Sequence, residues 1–136
     1  MAARAHTRAE KMMSNTTTTR PVGRLQAVAL DCPDPMALAE FYSALIGGTP
    51  EGEDDWVTLS DGDRILLCFQ RADEWAPPIW PGASRPQQAH VDIEVDDLDE
   101  AERQVLALGA RKADFQPGQS FRVFFDPVGH PFCLCG

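Results

Sequence analysis

The chain has 136 residues, 43% of them hydrophobic and 24% charged. That balance suits one globular domain with its own core and excludes a disordered chain. The formal net charge is −9; residues 1–24 hold +4, and the remaining −13 repels phosphate backbones, which excludes nucleic acid as a partner. No apolar run reaches the ~18 residues of a membrane span, so no membrane partner is expected. The start lacks an apolar signal core, and ten arginines against two lysines fit a GC-rich bacterial genome. Together these place the protein in a cytoplasm.

Residues 1–23 are polar, carry the run Thr16 to Thr19 and show no apolar periodicity. They predict a disordered tail, with Met12 or Met13 as the true start preferred over an Arg-rich transit peptide. The domain occupies residues 24–136. Leu25–Cys32 predicts a strand. Asp34 then caps a helix with Pro35 in its first turn. Leu38, Phe41, Tyr42 and Leu45 follow at helical spacing, and Gly47 stops the helix. Trp56–Ser60 and Ile65–Gln70 predict a hairpin turning at Asp61-Gly62-Asp63. A loop over residues 72–87 carries Pro77, Pro78, Pro81 and Pro86, with Trp75 and Trp80 among them.

The pattern then repeats. His90–Val95 predicts a strand, and Asp96-Asp97 caps a helix with Leu98, Ala101, Val105 and Leu108 on one face, stopped by Gly109. Phe121–Phe125 and Phe132–Cys135 form a hairpin around Asp126-Pro127-Val128-Gly129, where Gly129 takes positive φ. Asp34 to Asp97 and Leu30 to Ile93 both span 63 positions, and Gly47 to Gly109 spans 62. Strand, cap, helix and stop keep one register, so the sequence predicts two tandem modules, residues 24–71 and 88–136.

Alternation assigns the strand faces. Val28 and Leu30 should lie under the first helix, turning Ala27, Ala29 and Asp31 the other way. Val91, Ile93 and Val95 should be core, which turns His90, Asp92 and Glu94 to the opposite face. Curling such a sheet gives a concave, semi-polar cup of the kind that holds a small molecule. The expected lining is Ala27, Leu66, Cys68, His90, Asp92, Arg122 and Cys133. His90 with Asp92 one pleat away is the candidate catalytic pair, because a carboxylate fixes an imidazole tautomer and raises its basicity. Arg122 suits an anionic ligand group if it points inward, and otherwise pairs with surface acids. Trp56, Trp75 and Trp80 serve either ligand stacking or core packing. His130 reads as a solvated turn residue, and His6 falls in the tail. Glu51, Glu53, Asp54 and Asp55 read as a solvated loop without a calcium-site pattern. Cys32, Cys68, Cys133 and Cys135 read as reduced, buried thiols.

A βαβββ unit in tandem, with Asp34-Pro35 through Phe41-Tyr42 to Leu45-Ile46-Gly47, then His90-Val91-Asp92, Asp96-Asp97-Leu98, Leu108-Gly109-Ala110 and Asp126-Pro127-Val128-Gly129, resembles the vicinal oxygen chelate superfamily. That superfamily holds glyoxalase I, extradiol dioxygenases, and the fosfomycin- and bleomycin-resistance proteins. Leu67-Cys68-Phe69-Gln70 and Phe132-Cys133-Leu134 look most like its glyoxalase-like branch. The resemblance implies an α+β fold with a curled-sheet cup, and often a homodimer. It also implies one divalent metal held from four strands, at the places of Ala27, Leu66, His90 and Cys133. Ala27 and Leu66 cannot bind an ion, so no metal cofactor is expected; if one is bound, His90 holds it. Three functions follow in order. The first is a small-molecule binding protein with a degenerate metal site. The second is an enzyme using His90 and Asp92, with or without a divalent metal. The third is an accessory interaction domain with a vestigial cup.

Overall fold

A computed structural model describes residues 20–136; the tail reading over residues 1–23 lies outside the described residues for 1–19, His6 included. The first module runs β1 (Ala29–Cys32), α1 (Pro35–Ile46), β2 (Thr49–Gly52), β3 (Trp56–Asp61) and β4 (Arg64–Arg71). The second runs β5 (Val91–Glu94), α2 (Leu98–Ala107), β6 (Arg111–Lys112), β7 (Phe121–Phe125) and β8 (Pro131–Cys135). Each module makes a four-stranded sheet of the same topology, β1-β4-β3-β2 and β5-β8-β7-β6. In both, the first strand runs parallel to the last and the others are antiparallel. The architecture is the α+β repeat that the sequence register predicts.

The helix ends show why these residues form these elements. Asp34 is extended and accepts from the Ala37 N–H at 3.3 Å, and Pro35 occupies the first turn, where a missing N–H costs nothing. Asp97 accepts from the Asp99 and Glu100 N–H groups at 3.0 and 3.2 Å. Asp99 and Glu100 add negative charge at the positive end of α2. Leu38, Ala39, Phe41 and Tyr42 of α1 are buried. Phe41 and Tyr42 reach across the module boundary to Phe132 of β8, with ring centroids 6.0 and 6.3 Å apart. Tyr42 also stacks on Phe69 of β4 at 5.7 Å. The helix-side faces of both sheets thus merge into one core.

β7 and β8 carry apolar residues on both faces. Phe124, Phe132 and Leu134 join the main core. Val123, Phe125 and Cys133 point the other way and build a second cluster, against which Trp80 of the linker packs. Two sequence expectations change, and two strands are additions to them. Val28 is 48% exposed, because pairing with β4 begins at Ala29 and leaves Val28 ahead of the helix-covered sheet. Leu108 is exposed, since α2 ends at Ala107 and Leu108 forms its C-cap. β2 and β6 were not visible in the pattern: one reads Thr-Pro-Glu-Gly, the other is two charged residues, and neither alternates.

Candidate functional sites

Asp92 of β5 lies directly beside Cys133 of β8 in the parallel register. His90, two residues before Asp92, shares its pleat face. His90 Nε2 meets Asp92 Oδ1 at 3.0 Å. The ligating atoms of His90, Asp92 and Cys133 all lie within 4.8 Å of one another. Alternate residues on one pleat, plus one across the ladder, thus converge. The side chains of His90 and Asp92 are 39% and 61% exposed, whereas Cys133 is buried at the floor. Burial above all, then the Asp92 charge and a hydrogen bond to Asp92, push the Cys133 thiol up to about 12. The floor is therefore a protonated thiol next to a carboxylate and an imidazole.

The other expected lining residues do not join this cluster. Leu66 faces Asp92 across a cleft of about 590 Å³ that also holds Leu45 and Arg64, but it packs on the main core as well. Ala27 is half-buried just ahead of β1. Cys68 is buried in the first sheet, and its Sγ donates to Thr58 Oγ1 at 3.7 Å. Arg122 lies on the helix side of β7. It binds Asp99 at 2.8 Å and Glu102 at 3.3 Å, so the inward placement is corrected in favour of pairing with surface acids. Its place follows from alternation, since Phe124, two residues on, is core. Trp56 is exposed and donates to Thr58 Oγ1. Of the four strand places that the resemblance implies for a metal, Ala27 and Leu66 supply no donor atom, so the four-strand ligand set does not fit this chain.

A second arrangement escaped the sequence reading. The linker's Trp75 donates its indole N–H to the Val128 carbonyl at 2.9 Å, which ties the linker to the β7–β8 turn. His130, at the end of that turn, packs against Trp75 with ring centroids 4.6 Å apart. Its Nε2–H donates to the Asp31 carbonyl of β1 at 2.6 Å, which fixes the tautomer and leaves Nδ1 as an acceptor. His130 is therefore a bonded, half-buried bridge between the modules rather than a solvated turn residue. Ala29, Asp31, Trp75, Pro78, Arg85 and His130 line a cleft of about 530 Å³ there. The turn itself is set by Asp126, whose Oδ1 accepts from the Val128 and His130 N–H groups, both at 3.0 Å. The available signal was the coincidence of a tryptophan-bearing linker and a histidine-bearing turn. Asp31 and His130 are 99 residues apart in sequence, and local pattern does not span that distance.

Residues 27–135 match the family model of the glyoxalase-like domain. No curated protein matches the chain significantly. Among solved structures, the chain is similar to a glyoxalase/bleomycin resistance protein/dioxygenase family enzyme from Burkholderia phytofirmans, at 17% identity and TM-score 0.61, covering 82% of this chain and 97% of that one. A glyoxalase family protein from Enterococcus faecalis is 23% identical with TM-score 0.58, covering 85% and 98%. A genomically encoded fosfomycin resistance protein from Listeria monocytogenes is 16% identical with TM-score 0.61, covering 85% and 93%. At these identities the likeness concerns the fold.

Proposed function

The chain belongs to the glyoxalase-like domain family, and from that premise we propose that it is a small-molecule binding protein whose ligand sits beneath the Pro-rich linker. The observation that carries this reading is the Trp75–His130 pair walling the cleft against Asp31. Its walls are mostly apolar and aromatic, with a few fixed polar atoms, the composition of a ligand site. His130 is preoriented by its bond to Asp31, so it offers an acceptor without an ordering cost on binding. Relatives in fold that are named for resistance to bleomycin or fosfomycin, both small molecules, support the same reading.

The 3.0 Å His90–Asp92 contact favours a second reading, an enzyme in which that pair moves a proton. One experiment separates the two. A broad small-molecule panel is screened by thermal shift against the wild type, Trp75→Ala, His130→Ala and His90→Ala. A ligand at about 100 times its dissociation constant stabilises by roughly 2.7 kcal/mol. The expected result is at least one stabiliser whose effect disappears in Trp75→Ala and His130→Ala but persists in His90→Ala. Loss in His90→Ala alone moves the site to the second sheet and favours the enzyme. A panel without stabilisers leaves the interaction-domain reading in front.

A further inference from the structure

We propose that the linker cleft takes a zwitterionic amino acid with an aromatic side chain, its ammonium group held by Asp31 and His130 and its carboxylate by Arg85. This rests on the linker-cleft reading and adds the chemical class of the ligand. The cleft of about 530 Å³ is lined by one acid, Asp31, and one base, Arg85. The two form no ion pair with each other or with any other described residue. Opposite charges that share a cleft without meeting leave room for a ligand that bridges them.

Each charge is anchored. The Arg85 carbonyl accepts from the Ile79 N–H, and its Nε donates to the Pro77 carbonyl at 2.8 Å. The guanidinium is thereby fastened to the linker, while Nη1 and Nη2 have no partner among the described residues. That two-nitrogen fork matches the two oxygens of a carboxylate. Asp31 shares its pleat face with Ala29, which lines the same cleft. Its carbonyl accepts from His130 Nε2, so the imidazole stands beside it with Nδ1 as an acceptor. A carboxylate and a ring nitrogen together suit an ammonium group, which carries three N–H donors and no acceptor. Trp75, half-buried and fixed by its bond to the Val128 carbonyl, supplies an aromatic wall for the ligand's ring.

Charge balance selects the class. A ligand seated on Trp75 covers both Asp31 and Arg85 and takes water from them. A simple anion satisfies Arg85 but leaves Asp31 covered and unpaired. A simple cation does the reverse, and a neutral ring leaves both unpaired. Covering an unpaired charge is costly, so only a ligand with both signs avoids the penalty. Binding is non-covalent, and no proton has to move.

The test titrates the full chain in a calorimeter with L-tryptophan, tryptamine and indole-3-propionate, which share one ring and differ in charge. The expected result is that L-tryptophan binds roughly tenfold tighter or more than either analogue, since each analogue leaves one charge unpaired. Asp31→Asn should transfer the preference to indole-3-propionate, and Arg85→Gln should transfer it to tryptamine. A loosened fold weakens all three compounds and cannot exchange their order, so the variants stay informative; circular dichroism checks each one. L-tryptophan no tighter than an analogue, no binding by any of the three, or an order unchanged in both variants overturns the proposal. The broad panel keeps this failure apart from that of the cleft reading. A stabiliser that needs Trp75 and His130, found while the three indole compounds fail, leaves the cleft standing and removes only the zwitterion. A panel with no such stabiliser, and no indole binding lost in Trp75→Ala, removes the cleft itself.

Discussion

Asp126 is 3% exposed, the charged side chain most deeply buried among the described residues. An isolated carboxylate there would be costly, and three donors offset the loss of water. The Val128 and His130 N–H groups serve Oδ1, and the Tyr42 hydroxyl donates to Oδ2 at 2.7 Å. Burial first, then the Asp126 charge and the hydrogen bond to Asp126, hold the Tyr42 phenol above its ordinary range. The bond joins α1 of the first module to the β7–β8 turn of the second. Tyr42→Phe keeps the ring stacked on Phe69 but leaves Oδ2 without its partner. The expected cost is about 1–3 kcal/mol in urea unfolding, the usual penalty for an orphaned buried acceptor. A midpoint equal to wild type would mean that water replaces the hydroxyl. This pair was legible in the sequence only in part. Tyr42 was legible as core and Asp126 as a turn residue, but their contact spans 84 positions, which no periodicity encodes.

At the scale of elements, the local code carried far. Asp34 and Asp97 cap where the pattern puts them, and α1 and α2 end just before the glycine stops. Alternation placed Ile93 in the core and gathered His90 and Asp92 on the other face. It failed where an element has no buried face to imprint a pattern, as in β2 and β6, and where a face had to be guessed without a helix to fix it, as for Arg122. The linker was legible as a loop, but its docking was not, because proline content says where a chain cannot be regular and nothing about what it touches. That docking depends on Gly129. Its φ is 102°, and a Cβ there would lie 2.5 Å from Pro77 Cβ. Gly129→Ala therefore combines backbone strain with a clash that lifts the linker from the turn. The expected loss exceeds about 1 kcal/mol, and the Trp75–His130 contact should loosen, raising Trp75 fluorescence quenching by acrylamide. Stability and quenching both at wild-type values would show that the turn shifts freely and the linker is not held there.

For the whole molecule, the expected assembly is a homodimer, and what supports it lies at the sheet edges. Each sheet presents two strand edges with no partner among the described residues, β1 and β2 in the first and β5 and β6 in the second. Such edges are protected in most proteins, by charge, by covering segments or by pairing with another chain. Ahead of the β1 edge, Val22, Leu25 and Val28 stand exposed in an irregular segment. A cluster of large apolar side chains beside a free edge is what a second copy can cover through a self-complementary contact. The net charge of −9 limits non-specific association, so dimerisation has to come from a defined apolar contact of this kind. Light scattering after gel filtration should therefore give twice the chain mass. Leu25→Asp combined with Val28→Asp should shift the protein to single chains at the same concentration, with unchanged circular dichroism because neither residue is in the core. A single-chain mass for the wild type would refute the dimer outright. A double mass that survives both substitutions would move the interface elsewhere, to the free β5 edge beside His90 and Asp92.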